Sequence, residues 1–432
     1  MVKGKGKKKK KGKKVGPAPP PYYPVTLPEP YRFGQIIGTV VTGKNQLEEK
    51  AQKAVDACNA KSLDLDLHGM HLDEMPLRLT KLINLNVLNL QHNNLFSVQR
   101  VFDAISNCEE LVDLNLSYNM LNGRVPEAVK HLKRLKTINL RANMITGFAP
   151  EIGECLMMEI FDTTNNKMTE VPETICEGCP SLKELRVGGN KLVSLPEGIG
   201  GLKALTHIDA AKNSIAVLPG AAIGTLQQLQ FLNVAQNALT DIPEDIGVCE
   251  NLSYLNISEN QISIIPPSLF ASMKNLEYLF AYKNKLTSLP QELGSASKLR
   301  LASFANNKIP SLPTGIGQLR NLEELYMGGN PTLKLIPGTV HGMTSIRAIF
   351  IQNCPKLKSL PFELELCKNL TFLDLTGAKK QTCVYSTELK QALPKLKIKG
   401  GKPKKPKKGK SSVGRVPMPL GSPMVDPPPA TN

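Results

Sequence analysis

One pattern recurs along most of this 432-residue chain and limits what the chain can fold into. The segments LNVLNLQHNNL (85–95), LVDLNLSYNML (111–121), LKELRVGGNKL (182–192) and LSYLNISENQI (252–262) share the form LxxLxLxxNxL. The Asn of this pattern recurs in eleven copies, at Asn93, Asn119, Asn143, Asn166, Asn190, Asn213, Asn237, Asn260, Asn284, Asn307 and Asn330. Degenerate copies at Met70, Cys354 and Ala378 bring the number to fourteen, spaced 23 to 26 residues apart. A period held this long predicts a repeat architecture.

Each copy predicts one short strand and a return segment on the outer side of the fold. Because strand side chains alternate, the Leu positions of LxxLxL face the interior. We expect the Asn side chain to bond backbone groups of neighbouring turns, which is a structural role and not a catalytic one. After most Asn positions comes LxxLPxxIGxLxxL, as at 191–205, where Pro restricts φ at the turn into the outer segment.

With these motifs the sequence resembles the leucine-rich repeat superfamily, in particular the short intracellular repeats of 23 to 24 residues of the Ras-group type. The resemblance covers residues 47–400. It implies an α/β solenoid, a curved horseshoe of about 14 repeats with a parallel concave sheet, a helical N-terminal cap and disordered basic tails. It also implies a binding scaffold. MLNGRVPEAV and MITGFAPEIG depart from the pattern and resemble plant-type repeats.

Composition predicts the domain boundaries. We expect a disordered Lys/Gly- and Pro-rich tail over residues 1–44, the repeat domain over 45–400, and a disordered basic and Pro-rich tail over 401–432. The repeat domain divides into an N-terminal cap (45–60), the repeats (61–380) and a C-terminal cap (381–400). The predicted cap helix has an apolar face of Leu47, Ala51, Ala54, Val55 and Cys58.

The formal net charge of +17 lies in the two tails. Residues 1–14 carry nine Lys and no acid, and residues 395–432 carry ten Lys or Arg against one Asp, while residues 15–394 hold 35 basic and 36 acidic residues. The tails therefore favour an acidic polymer as partner: RNA, anionic lipid or acidic protein tails. No run of about 18 apolar residues predicts a transmembrane segment. The chain is expected in the cytoplasm, with the nucleus and the cytoskeleton or cilium as alternatives.

Cysteine and histidine placement predicts no metal site, no cofactor and no catalytic residue. Five of the nine cysteines occupy a repeat position that otherwise holds Leu, Met or Ala, as small buried hydrophobic residues do: Cys108, Cys155, Cys179, Cys249 and Cys367. The CEGC at 176–179 lacks the second CxxC or His pair of a zinc site. No phosphate-binding glycine motif or GxSxG is present. His68 and His207 are expected to be solvated on the inner face.

Residues six, four and two before each Asn are predicted to face the concave sheet surface. Eight aromatic residues fall there in the last seven repeats and form a predicted aromatic patch: Phe231, Tyr254, Tyr278, Phe280, Tyr282, Tyr326, Phe350 and Phe372. The first seven repeats carry a predicted acidic half: Asp64, Asp66, Asp113, Asp162, Glu184 and Asp209. An exposed apolar patch indicates a partner-binding surface, and the alternative is a ladder of rings that stabilises the sheet. The acidic surface disfavours nucleic acid in the hollow of the solenoid.

The preferred interpretation is a non-enzymatic scaffold that binds a protein partner on its concave face. We expect a basic or polar partner segment over the acidic half and an apolar one over the aromatic patch. The Ras-group resemblance implies a partner in small-GTPase or phosphatase signalling. The alternative is a structural component of a large assembly, such as a ciliary axoneme, the cytoskeleton or a ribonucleoprotein, held by the basic tails.

Overall fold

A computed structural model of the chain describes residues 44–57, 63–377 and 383–403. The predicted tails fall almost wholly outside these ranges, so their disorder stays a prediction. Ala378, the index position of the last degenerate repeat, and Cys58 of the predicted cap face also lie outside the described residues.

The strands of the described residues are β1 (Asp64–Asp66), β2 (Val87–Asn89), β3 (Asp113–Asn115), β4 (Asn122–Val125), β5 (Thr137–Asn139), β6 (Met144–Phe148), β7 (Ile160–Asp162), β8 (Glu184–Arg186), β9 (His207–Asp209), β10 (Phe231–Asn233), β11 (Tyr254–Asn256), β12 (Tyr278–Phe280), β13 (Leu301–Ser303), β14 (Glu324–Tyr326), β15 (Ala348–Phe350), β16 (Phe372–Leu375), β17 (Val384–Tyr385), β18 (Lys397–Gly400) and β19 (Lys402–Pro403).

Fifteen of these strands form one parallel sheet in the order β1-β2-β3-β5-β7-β8-β9-β10-β11-β12-β13-β14-β15-β16-β18. Fourteen of them are the predicted repeat strands, and β18 adds a strand from the C-terminal segment. Equivalent repeat positions are in register, as Leu255 against Leu279 shows. The predicted fold class, an α/β solenoid with a concave parallel sheet, is confirmed.

Short helices return the chain on the outer side. The α-helices are α1 (Lys44–Ala57), α2 (Val98–Ile105), α3 (Glu173–Gly178), α4 (Gly220–Gly224) and α5 (Glu388–Ala392). The 3-10 helices are Leu77–Lys81, Glu127–His131, Pro150–Glu154, Glu197–Gly201, Glu244–Val248, Pro267–Phe270, Gln291–Ser295, Thr314–Gln318, Gly338–Gly342 and Phe362–Leu366. A Pro occupies the N-cap or first residue of each of these 3-10 helices, where its missing N–H costs no hydrogen bond.

Two repeats depart from this plan where their sequences depart from the common motif. MLNGRVPEAV contributes β4, and MITGFAPEIG contributes β6. These strands pair in parallel as a second, two-stranded sheet that flanks the third and fourth repeats. In these two repeats, the segment that contains the Gly and the later Pro therefore forms an extra strand where the other repeats have a turn.

The interior is one continuous apolar cluster that runs from α1 to the C-terminal segment. Ala51 and Val55 of α1 are buried in this cluster, against the first outer segment, so the helix covers the N-terminal end of the core. At the other end Leu389 and Leu393, in and just after α5, are buried in the same cluster. The five repeat-position cysteines are fully buried there, as the sequence predicts.

A ladder of Asn side chains closes the turn after eleven of the repeat strands. Asn260 is typical: its Nδ2 donates to the carbonyl oxygens of Val234 (3.0 Å) and Ile257 (3.1 Å), and its Oδ1 accepts from the N–H of Leu239 (3.0 Å). Each amide thus satisfies backbone groups of its own repeat and of the repeat before. The residue before the Asn takes positive φ, as Glu259 does (55°). The predicted structural role of the Asn positions is confirmed.

Candidate interaction surface on the concave sheet

All eight residues of the predicted aromatic patch lie in or next to strands whose alternate residues form the core. Leu232 of β10 belongs to the main core, whereas Phe231 beside it belongs to a second apolar cluster on the other side of the sheet. That cluster includes Tyr254, Phe280, Leu301, Ala305 and Tyr326, with Tyr278, Tyr282 and Phe350 packed against it. Phe372 continues the row because its ring lies 5.4 Å from that of Phe350.

The rings stack along the sheet from repeat to repeat. Phe231 and Tyr254 have ring centroids 4.3 Å apart with planes 10° apart, and Tyr326 and Phe350 are 4.3 Å apart with planes 1° apart. Tyr254 also contacts Phe280, with centroids 5.4 Å apart. In the two stacked pairs this spacing follows the separation of adjacent strands, about 4.8 Å, whereas the equivalent rings of Tyr254 and Tyr278 are tilted by 39° with centroids 6.3 Å apart.

The expectation of an exposed apolar patch is wrong for half of these residues. Phe231, Tyr254, Phe280 and Tyr326 are each less than 10% exposed, because the neighbouring rings cover them. The other four, Tyr278, Tyr282, Phe350 and Phe372, are half-buried. The ladder alternative describes the packing of the first group. Only the second group leaves apolar surface open to a partner.

His207 begins the same row, and the expectation that it is solvated is wrong. Its ring stacks on Phe231 with centroids 3.8 Å apart and planes 9° apart, and the residue is only 7% exposed. Burial, together with the nearby Arg186 guanidinium, lowers the pKa of His207 to about 3. His68, by contrast, is exposed, and its Nδ1 lies 2.9 Å from Asp66 Oδ1.

The acidic half is less open than its composition suggests. Arg186 forms an ion pair with Glu184 and lies 3.9 Å from the Asp162 carboxylate, which is buried. Asp209 accepts from Asn233 Nδ2 at 3.0 Å and from the Ala211 N–H at 3.2 Å. Burial raises the pKa of Asp209.

The remaining carboxylates of the acidic half lie nearer the N-terminal end. Asp64 is exposed, while Asp66 and Asp113 are half-buried. A partner therefore meets paired and largely buried charges in the middle repeats, and the one fully exposed carboxylate of the acidic half, Asp64, at the N-terminal end.

Between the acidic half and the aromatic patch lies a groove that sequence reasoning missed. It is an open cavity of about 350 Å³, with Arg141 lining one part and Tyr282 another. Gly188, Ala211 and Ala235 line it between them, and these residues stand two positions before consecutive ladder Asn residues. Because each carries at most one side-chain carbon, the row leaves room above the sheet in these three consecutive repeats. We call this cavity the central groove.

The central groove is polar. Asp209, Asn233 and Asn256 line it from the strands, and Lys212 and Gln236 line it from the turns that follow. The signal for it was present in the sequence as three consecutive repeats with Gly or Ala at one concave position. A search for aromatic or charged residues does not detect a row of small residues.

The cysteines are arranged as core residues. The eight described cysteines are free and buried, including Cys176 and Cys179 of the CEGC segment. Burial raises the pKa of Cys179 to about 12. Within residues 44–57, 63–377 and 383–403, no three His, Cys, Asp or Glu side chains are grouped so as to hold a metal ion. The same residues include no helix that is both long and apolar enough to cross a membrane.

The repeat architecture defines a class of protein. Residues 83–145 and 227–286 match the family model described as leucine rich repeat. The structural neighbours are also leucine-rich repeat proteins, and this chain has the leucine-rich repeat fold. A comparison with curated protein sequences found no match.

Three solved structures illustrate the similarity. A leucine-rich repeat protein of Leptospira interrogans is 27% identical with a TM-score of 0.58, over 82% of this chain and 98% of that one. The plant peptide hormone receptor RGFR1, in complex with RGF2, is 28% identical with a TM-score of 0.64, over 77% of this chain and 55% of the receptor chain. The functional domain of InlJ from Listeria monocytogenes, which includes a cysteine ladder, is 19% identical with a TM-score of 0.61, over 79% and 74% of the two chains.

Proposed function

We propose that this protein is a non-enzymatic interaction scaffold that binds a segment of a protein partner on its concave face, with the central groove as the centre of contact. The observation that carries the proposal is the groove itself, an open polar cavity on the concave face of the sheet. The leucine-rich repeat fold in general supports protein–protein interaction. The neighbour RGFR1 is a peptide hormone receptor solved in complex with RGF2.

The side chains around the groove favour a polar, extended segment with an acidic group. Arg141 is half-buried, and among the described residues its guanidinium has no ion-pair partner within 4 Å; Lys212 is exposed and also lacks one. A carboxylate from a partner would supply that pairing. Asn233 and Asn256 offer amide groups to a backbone that lies along the sheet. At the far side Tyr282 lines the groove. Its half-buried ring, with those of Tyr278 and Phe350 further along the sheet, can bury an apolar side chain.

Two matched substitutions test the groove. Ala211→Arg places a long side chain inside it, whereas Ala216→Arg places the same side chain on an exposed turn outside it. We expect affinity capture from cells, quantified by mass spectrometry, to show partners that Ala211→Arg loses and Ala216→Arg retains. Equal recovery of every partner by both variants and the unmodified protein would exclude the groove as the contact.

The Ras-group resemblance favours small-GTPase or phosphatase signalling and a cytoplasmic location, and we propose these as the setting. The concentration of basic charge in the tails favours a second candidate, a structural component of a large assembly that the tails hold on an acidic polymer. The salt dependence of partner binding distinguishes the two candidate functions. Contacts made by the Lys-rich tails weaken steeply as ionic strength rises, whereas contacts in the groove and on the rings weaken less. Release of all partners by moderate salt would favour the second candidate.

A further inference from the structure

The long sheet has two free edges of opposite charge. Within the described residues β1 pairs only with β2, and β18 pairs only with β16. The sheet is parallel throughout, so the outer edge of β18 has the orientation that each interior strand offers to the strand after it. A free edge exposes unpaired N–H and C=O groups that another strand can bond.

The charged side chains on the two edges are complementary. β1 carries Asp64 and Asp66 on its concave side, and β18 carries Lys397 and Lys399 at the equivalent positions. The equivalence follows from register, because Asp64 pairs with Val87 at one end and Phe372 with Lys397 at the other.

The four charged side chains already have only weak local partners. Lys399 is 3.9 Å from Asp374, its side chain is 65% exposed, and Lys397 is exposed. Asp66 contacts the exposed His68. None of these contacts removes the charge from the edge.

We propose that these edges bind each other in a second copy of the chain, so that β18 of one molecule pairs in parallel with β1 of the next. In the register of the interior strands, Lys397 then lies opposite Asp64 and Lys399 opposite Asp66. Directly opposed side chains on neighbouring strands are about 5 Å apart, within reach of an ion pair.

The charges also select this pairing over the others. Two β18 edges would place Lys against Lys, and two β1 edges would place Asp against Asp, each of which is repulsive. The only attractive combination is head to tail. Such a contact uses two different surfaces of the chain and does not close on itself, so it builds a row of molecules and not a two-fold dimer.

Apolar surface at the two ends of the sheet also favours a contact between these edges. Leu63, next to β1, is 51% exposed, and Ile398 of β18 is only partly buried against the core. Ile398 is equivalent to Leu65, which lies in the core of the first repeat. Helix α1 packs against the 3-10 helix Leu77–Lys81 on the outer side of the first repeat.

Reversal of the charges on one edge at a time tests the pairing in the full-length chain. Sedimentation velocity over a range of concentrations, after nuclease treatment, measures the self-association of the unmodified protein. We expect Asp64→Lys/Asp66→Lys to weaken it about tenfold or more, and Lys397→Asp/Lys399→Asp to do the same, because two attractions become two repulsions. An equimolar mixture of the two variants restores opposite charges at every junction, so association returns.

The control Asp241→Lys/Glu250→Lys makes the same change in net charge as Asp64→Lys/Asp66→Lys, at exposed positions away from both edges, and it should associate like the unmodified protein. Recovery in the mixture also shows that both variants are folded. The proposal is overturned if the unmodified protein stays monomeric at its highest soluble concentration. It is equally overturned if either edge variant associates as before, or if the mixture does not recover.

Discussion

His207 and Phe231 stack at a centroid separation of 3.8 Å, and this contact begins a row of rings along the concave face. Burial lowers the pKa of His207 from 6.5 to about 3, so the folded protein keeps this ring neutral where the unfolded chain would protonate it. Its contribution to stability is therefore complete above about pH 6.5 and is lost as the pH falls towards 3, by at most about 1.4 kcal/mol per pH unit.

The substitution His207→Phe keeps a ring in the row and removes the titrating group. We expect the loss of unfolding free energy between pH 7 and pH 5 to be about 2 kcal/mol smaller in this variant than in the unmodified protein. Urea unfolding at the two pH values measures it. An unchanged pH dependence in His207→Phe would mean that His207 is protonated in the folded state.

The buried rings of the row are expected to stabilise the fold. Tyr254 is 5% exposed and contacts the rings of Phe231, Tyr278 and Phe280, so Tyr254→Ala leaves a gap between repeats. We expect a loss of about 3 kcal/mol of unfolding free energy. Phe96→Ala, at a ring that is 45% exposed, should cost less than about 1 kcal/mol. Similar unfolding midpoints for both variants would show that the row does not stabilise the sheet.

Substitution of a buried ladder Asn is expected to cost more unfolding free energy than substitution of an exposed Asn. Asn260→Ala removes two donated hydrogen bonds and one accepted bond from buried backbone groups, at a cost of about 3 kcal/mol. Asn251→Ala removes a single exposed bond to the Gln227 carbonyl and should cost about 0.5–1 kcal/mol. Thermal unfolding of the two variants measures the difference. Equal costs would contradict the role assigned to the ladder.

The cysteines should be unreactive until the chain unfolds. Burial raises the pKa of Cys108 to about 11 and of Cys155 to about 12, and the thiolate is the form that alkylating reagents attack. In a Cys58→Ser variant at pH 8, we expect iodoacetamide to leave the eight described thiols unmodified, as measured by mass spectrometry, and to modify all of them in denaturant. Modification of Cys176 or Cys179 in the native protein would reopen a redox or metal role for CEGC.

Strand positions and the core could be predicted from the sequence because both follow from a short period. The alternation within LxxLxL places Leu279 in the core and Tyr278 and Phe280 on the concave side, and the spacing of the Asn residues sets the register between repeats. The cysteine positions follow in the same way. None of these inferences requires knowledge of which side chains meet across neighbouring repeats.

Exposure on the concave face could not be predicted, because it depends on residues about 24 positions away. Tyr278 and Phe280 belong to the same strand, yet only Phe280 is enclosed by its neighbours. Glu184 is one of the predicted acidic residues, but its ion pair with Arg186 of the same strand makes both charges less available to a partner. The central groove exists because three small residues from consecutive repeats line up beside one another.

The sequence by itself determined the repeat, the strand positions, the core and the structural Asn ladder, since each is set by the period and by the alternation of a strand. Only the tertiary structure decided which concave residues are open. Stacked strands bring side chains of adjacent repeats to about 4.8 Å, where rings cover one another and charges pair. It also gave the reason for the Gly of the LPxxIG motif, since a Cβ at Gly317 would lie 2.2 Å from the Thr339 carbonyl oxygen of the next repeat.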